Sequence, residues 1–192
     1  MKGSRLKRIG ENASNKVGKA LNMLTQIKFK TESTIEMLPT KDILSLIEEE
    51  AMLIAYIQIV HGDKKGVMLL IINKENAIQL SDLLNKKKIG TTIVLGDLER
   101  SVLKELCNIL TNTYINELSK YLNFHFSLDT PALITRDQLH ILFTALGLPE
   151  KEKTLLCGVE LESENPDIFV TILAIFHKKA YEILNKEVKE KW

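Results

Sequence analysis

Apolar residues recur with two different periods along this chain, and the same succession of periods occurs twice. Recurrence every three to four residues predicts amphipathic helices, and alternation every second residue predicts half-buried strands. Each half therefore predicts a long helix, a strand, a helix, two strands and a final helix. The long helices are predicted at residues 4–24 and 98–122, with Asp97 as the N-cap of the second.

The remaining elements are predicted in the same order in both halves. Phe124, Phe126 and Leu128 alternate at the period of a half-buried strand, and Gly147 and Pro149 should end the helix that follows. In the order strand, helix, hairpin and final helix, the predicted ranges are 26–37, 41–49, 52–60 with 66–73, and 75–86 in the first half, and 123–134, 136–147, 154–162 with 168–175, and 177–188 in the second.

The two halves also match residue by residue. A shift of 97 residues aligns their first helices, and further along Thr40-Lys41-Asp42 matches Thr135-Arg136-Asp137. The chain of 192 residues is therefore predicted to be a single domain made of two related halves, residues 4–87 and 98–188.

Three strands in each half predict the fold class. We expect an α/β (α+β) protein with pseudo-two-fold symmetry, in which both halves share one six-stranded sheet and the two long helices pack on it. Many folds have such symmetry, so the repeat alone carries no chemistry.

Composition is that of an ordinary globular protein, with 45% hydrophobic and 27% charged residues. The net charge of +1 argues against a broad nucleic-acid surface, which needs clustered positive charge. Cys107 and Cys157 lie far apart in sequence, which is typical of two core thiols in a reducing compartment. We expect no secretory signal in the basic segment at the start, because no apolar run follows it, and no apolar run in the chain is long enough to span a bilayer. We therefore expect a cytoplasmic protein.

The second long helix carries a polar ridge. Ser101, Glu105, Asn108 and Asn112 follow one another at spacings of four, three and four, so they share one helix face. Apolar positions such as Leu106 gather on the opposite side, which should face the core. An exposed helix face is ordinarily polar, so the periodicity alone fits a solvated surface as well as a binding site.

The spacing of Ser101, Glu105, Asn108 and Pro131 resembles the signature of the CheC/CheX/FliY family of chemotaxis phosphatases. In that signature an Asp or Ser, a Glu, an Asn and a Pro are separated by three, two and twenty-two residues. The run Leu103–Ile109 also looks like CheC, and CheC proteins are themselves duplications of about this length. The resemblance implies a CheC-like fold.

Two departures from the family pattern bear on the number of sites. The matching positions in the first half are Ser4, Arg8 and Glu11, so a cation replaces the acid and an acid replaces the amide. No proline follows at the expected distance, and we expect the first motif to be inactive. In the second motif Cys107 stands where CheC usually has Gly, and because Cys is small we expect the helix to tolerate it.

The resemblance implies that the chain removes the phosphoryl group from the aspartate of phosphorylated CheY, a response regulator. Because an acyl phosphate is already activated, positioning and electrostatics would determine the rate. Asn108 would position the attacking water, with its oxygen accepting from the water and its NH2 group donating to a phosphoryl oxygen. Glu105 would pair with the lysine near the regulator's phosphorylation site and dock the helix; a general-base role is the alternative. The chain would need no cofactor of its own, since the magnesium ion would belong to the regulator.

Two other functions remain open at this stage. The chain could be a non-catalytic adaptor for phosphorylated CheY or for the receptor deamidase CheD, or a structural domain without such a partner. CheC proteins dock CheD through the helix that corresponds to Arg136–Leu148, where Asp137 and Gln138 would face the partner. An ordinary amphipathic helix is an equally good interpretation of that segment. The CheC resemblance implies a monomer, whereas CheX proteins dimerise.

Overall fold

Twelve elements of secondary structure lie in the described part of the chain. The computed structural model describes residues 2–48, 53–62, 66–122, 125–148, 152–178 and 180. The elements are α1 (Lys2–Thr25), β1 (Lys30–Pro39), α2 (Thr40–Glu48), β2 (Leu53–Gly62), β3 (Gly66–Asn73), α3 (Lys74–Leu84), α4 (Asp97–Leu122), β4 (Phe126–Leu128), β5 (Ala132–Ile134), α5 (Arg136–Ala145), β6 (Lys153–Glu164) and β7 (Asp167–His177).

One antiparallel sheet contains all of the strands in these ranges. Its order is β1-β6-β7-β3-β2-β4, and β5 also pairs with β2. The central pair, β3 and β7, comes from different halves, with Leu69 opposite Leu173. On each side of this pair lies its hairpin partner, β6 or β2, and then an edge strand, so the sheet has the pseudo-two-fold arrangement that the repeat predicts.

Helices cover both faces of the sheet. The long helices α1 and α4 lie with α3 on one face, where Leu21 and Leu110 are buried in the larger apolar core. Helices α2 and α5 cover the opposite face, where Ile43 and Phe143 are buried in a second core. The mixed α/β class and the packing of both long helices on a shared sheet are therefore confirmed.

The predicted number of strands is wrong, because the strand expected at 123–134 is divided. Its described part forms β4 and β5, which both pair with β2, and residues 123 and 124 lie outside the described residues. Pro131 lies between them and has no N–H to donate to the ladder. The N–H of Asp129 donates to the carbonyl of Ile59 at 3.1 Å, which keeps the intervening segment beside β2.

One helix end also differs from the prediction. Helix α4 begins at Asp97 itself, so Asp97 is not its N-cap. The carboxylate that reaches back over the start of the helix belongs to Glu99, whose Oε2 accepts from the N–H of Gly96 at 3.2 Å. Most of the final helix predicted at 177–188 lies outside the described residues. No helix in the described ranges combines the length and apolarity needed to cross a bilayer.

Candidate functional site

The polar ridge of α4 is exposed only at its N-terminal end. Ser101 and Glu105 are exposed, whereas Asn108 and Asn112 are half-buried. The expectation of a fully exposed ridge is therefore wrong for its second half. The reason is a buried side chain of β2, Gln58, which contacts the ridge from the sheet.

Asn108 is held through its side-chain oxygen. Its Oδ1 accepts from Nε2 of Gln58 at 3.3 Å and from Nδ2 of Asn112 at 2.9 Å. An amide oxygen has two lone pairs, so these two donors use both. Among the described residues nothing accepts from Nδ2 of Asn108, and that atom is not among the buried atoms without a partner. The amide therefore has its oxygen turned into the protein and its NH2 group in contact with solvent.

Gln58 is the centre of this network, although its side chain is only 1% exposed. Its Nε2 also donates to the backbone carbonyl of Asp129 at 2.7 Å. Its Oε1 accepts from the hydroxyl of Thr111, and from the thiol of Cys107 at 3.8 Å. Both ends of this buried amide are thus satisfied within the protein, as burial of a polar group requires.

The sequence analysis missed Gln58, but the sequence contains a signal for it. Gln58 is the one residue with a side-chain amide in the apolar run Ala55–Val60. A polar side chain inside such a strand must find hydrogen-bond partners when it is buried. The identity of those partners depends on α4, about fifty residues further along the chain, and the sequence does not reveal it.

Glu105 lies one helical turn before Asn108 and is exposed. Within the described part of the chain, no residue forms a hydrogen bond or ion pair with its carboxylate. Side chains three residues apart on a helix lie on the same face. The candidate site therefore combines an accessible carboxylate with an amide donor one turn away.

Cys107, between Glu105 and Asn108 on the same helix, points into the core. Its side chain is fully buried, and burial raises the pKa of the thiol to about 12. Helix α4 continues through this position without interruption. The expectation that the helix tolerates a cysteine here is confirmed.

The first half presents different chemistry at the matching positions. Arg8 and Glu11 are both exposed, and the Glu11 carboxylate lies 3.9 Å from Nζ of Lys7. The side chain of Ser4 is outside the described residues. A polar cleft of about 330 Å³ lies beside them between α1 and β1. Its lining residues are Lys7, Glu11, Ser14, Asn15, Thr31, Glu32 and Ser33.

The two halves also differ at the position of Gln58. The hairpins of the two halves match, so β6 occupies the place of β2. The residues of β6 that face the long helices are Leu155, Cys157, Val159 and Leu161, and all four are buried. None of them carries an amide, so the buried amide that contacts a long helix from β2 has no counterpart on β6.

In helix α5, Gln138 is one of the two residues that the resemblance implied would face CheD. Oε1 of Gln138 accepts from the backbone N–H of Thr135 at 3.0 Å and so caps the helix. The side chain of Asp137 lies outside the described residues. In the part of the chain that the structure describes, no three His, Cys, Asp or Glu side chains are grouped so that they could hold a metal ion.

Comparison with known proteins connects this site to a family. Residues 98–135 match the model of the CheC-like family, and this segment contains Glu105, Asn108 and Pro131. Together, the match and the shared fold support a relationship of this chain to the CheC/CheX/FliY family. The matched segment is α4 with β4 and β5, which is the part of the chain that forms the candidate site.

Solved structures share the fold over nearly the whole chain. FliY from Thermotoga maritima is 17% identical with a TM-score of 0.72, and the alignment covers 96% of both chains. CheX from Borrelia burgdorferi, solved with CheY, BeF3 and magnesium, is 15% identical with a TM-score of 0.56, covering 88% of this chain and 96% of that one. The middle domain of FliM from H. pylori is 11% identical with a TM-score of 0.62, covering 94% and 95%.

Proposed function

We propose that this chain accelerates hydrolysis of the aspartyl phosphate of a CheY-type response regulator. Glu105 docks the helix on the regulator, and Asn108 positions the attacking water. The observation that carries the proposal is the pairing of an exposed carboxylate with an outward NH2 group one turn away. Its support from relatives is the CheC-like match over residues 98–135 and the fold shared with a CheX that was solved with CheY.

Asn108 suits this reaction because little covalent chemistry is left for a helper protein. Phosphoryl transfer passes through a loose transition state, so holding the water in line matters more than removing its proton. The NH2 group has two N–H donors. One can hold the water through its oxygen, which leaves a lone pair for the attack on phosphorus, and the other can reach a phosphoryl oxygen.

This geometry revises the earlier hypothesis about the two ends of the amide. From the sequence alone, the water was expected at the oxygen of Asn108 and the phosphoryl group at the nitrogen. Because the oxygen already accepts from Gln58 and Asn112, contact with the water through that end would require at least one of these bonds to break. Contact through the nitrogen requires no rearrangement, and a neutral amide brings no negative charge towards the phosphoryl group.

Glu105 fits a docking role better than a chemical one. Its carboxylate is exposed and free to pair with a cation of the partner, such as the lysine near the regulator's phosphorylation site. Pairs of this kind at an interface steer association and fix its register. The magnesium ion is assigned to the regulator.

The alternative is a protein that binds without catalysis. The fold is shared with a FliM middle domain as well as with FliY and CheX, and a fold by itself does not determine a function. A partner such as CheD would bind at α5, where Ile141 is 70% exposed. Arg8 and Glu11 in the first motif also fit a protein that has kept binding and lost one site.

One assay separates these functions. The purified chain is mixed with a CheY-type regulator that has been phosphorylated by acetyl phosphate, and both binding and phosphate release are followed. Faster phosphate release supports the phosphatase. Binding without faster release supports the adaptor, and the absence of both rules out either form of the proposal.

A further inference from the structure

We propose that Gln58 is a positioning residue of this site, which sets the direction of the Asn108 amide. The inference rests on the proposed function and extends it to a residue of the other half of the chain. Gln58 lies on β2 in the first half, and Asn108 lies on α4 in the second. The working site is therefore built from both halves.

One hydrogen-bond partner of Gln58 is a group that can only accept. The backbone carbonyl of Asp129 is only an acceptor, and it lies 2.7 Å from Nε2 of Gln58. Gln58 must therefore turn its NH2 group towards Asp129. Its oxygen then faces Thr111 and Cys107, whose hydroxyl and thiol are both donors.

The same NH2 group determines which end of Asn108 faces inwards. Nε2 of Gln58 lies 3.3 Å from Oδ1 of Asn108. If the Asn108 amide were turned over, its NH2 group would meet the NH2 group of Gln58, and neither could accept. Gln58 therefore selects the orientation in which the oxygen of Asn108 faces the sheet.

A second fixed acceptor gives the same result from the other side. Nδ2 of Asn112 donates to the backbone carbonyl of Asn108 at 2.8 Å, which fixes the direction of the Asn112 amide. This NH2 group is also 2.9 Å from Oδ1 of Asn108. Two carbonyls of the main chain thus determine, through Gln58 and Asn112, that Asn108 presents its NH2 group to solvent.

The consequence is a donor that is already oriented before the regulator binds. Groups that need no reorganisation during the reaction contribute most to catalysis by positioning. The first motif lacks this arrangement, because the residues that β6 turns towards the long helices, such as Val159 and Leu161, are apolar. Its long helix also carries Glu11 in place of the amide.

The kinetic test uses two variants and a matched control. Gln58→Leu removes both polar ends, and Thr111→Val removes the hydroxyl that holds the oxygen of Gln58 with little change in shape. In Gln58→Leu, kcat for regulator dephosphorylation should fall about tenfold or more while KM stays within about twofold. Thr111→Val should lower kcat in the same direction, and Glu160→Gln, a substitution at an exposed position of the matching strand β6, should match the unchanged protein.

The spectroscopic test needs no substitution and so does not depend on whether a variant folds. In the full chain, the NH2 protons of Asn108 should exchange rapidly with solvent, whereas those of Gln58 should be protected. Protected NH2 protons on Asn108 would overturn the inference, because they would mean that its nitrogen faces inwards. In Gln58→Leu or Thr111→Val, wild-type kcat would also overturn it.

These outcomes separate the inference from the proposed function. If Asn108→Ala leaves the rate unchanged, the proposed function fails. If Asn108→Ala abolishes the acceleration while Gln58→Leu keeps the wild-type kcat, only the role of Gln58 fails.

Discussion

Glu105 and Asn108 lie one turn apart but are held very differently. Asn108 is half-buried and accepts two hydrogen bonds, whereas Glu105 is exposed and makes no bond to a described residue. A group that positions a small molecule must itself be fixed, and a group that meets a partner must be accessible. The fold therefore supports a different role for each residue.

Reversing the charge of Glu105 should weaken docking. In Glu105→Lys the new cation would face the regulator's lysine, so the Kd for the phosphorylated regulator should rise about tenfold, and the effect should shrink as salt is added. Titration calorimetry at low and high salt measures this change.

The matched controls for this prediction lie in the first half. Arg8→Ala and Glu11→Ala change charges on the long helix whose motif we propose to be inactive, and both should leave the Kd and the rate unchanged. An unaltered Kd in Glu105→Lys would rule out the ion pair, and a large loss in either control would mean that the first motif is active.

Both thiols should be inert in the native protein. Burial raises the pKa of Cys107 and of Cys157 to about 12, so the reactive thiolate is scarce at pH 8. Ellman's reagent should label both thiols quickly in urea and neither thiol in buffer. Rapid labelling of Cys107 in the native state would show that the core around Gln58 is more open than described.

Among the elements, the connection between α3 and α4 has an unusual anchor. The buried carboxylate of Asp82 accepts from the backbone N–H groups of Gly90, Thr91 and Thr92 at 2.9, 3.0 and 3.1 Å. A single side chain of α3 thus holds the segment that leads into the helix carrying the site. The adjacent Leu95 is buried, which ties the same segment to the core.

The stability provided by Asp82 should depend on pH. Burial alone would raise its pKa, but the hydrogen bonds from Thr92, Gly90 and Thr91 outweigh burial, and the net pKa is lowered. A carboxyl with a lowered pKa in the folded state stabilises the fold above its ordinary pKa of about 4, and this contribution is lost as the pH falls through the lower, folded value.

Asp82→Asn tests this dependence directly. At pH 7 the substitution should lower the urea midpoint of unfolding, because Asn has only one oxygen and no charge to offer the three N–H groups. The difference from the unchanged protein should shrink as the pH is lowered below about 4. An equal difference at neutral and acid pH would contradict the role of the charge.

Periodicity explains which elements could be predicted. The long helices, the hairpins and the ridge that contains Glu105 and Asn108 follow from local spacing, and they lie where the sequence predicts them. The division of the strand at 123–134 could also have been predicted, because Pro131 cannot continue a ladder. The partial burial of Asn108 could not be predicted, because it depends on a side chain of another strand.

At the scale of the whole molecule, the candidate site combines residues from both halves of the duplication. Gln58 and Asn108 are fifty residues apart in sequence and 3.3 Å apart in space. No local pattern reveals such a contact, because it arises only when the hairpin of one half and the long helix of the other meet on the shared sheet. The sequence therefore predicts the two proposed active residues but not the residue that orients one of them.

The proposed loss of chemistry at the first motif follows from the same comparison. Glu11 would repel a phosphoryl group, Arg8 would repel a lysine of the regulator, and β6 has no amide facing the long helices where β2 has Gln58. The long helix and the strands around the first motif nevertheless keep their places in the fold.

The central claim is that an outward amide on α4 positions water for hydrolysis of a regulator's aspartyl phosphate. The most direct measurement is the single-turnover rate of dephosphorylation at saturating chain, compared between the unchanged protein and Asn108→Ala, with circular dichroism to verify that both are folded. The account predicts that Asn108→Ala binds the regulator normally and loses about 100-fold or more in rate. A folded Asn108→Ala that dephosphorylates the regulator at the unchanged rate would contradict it.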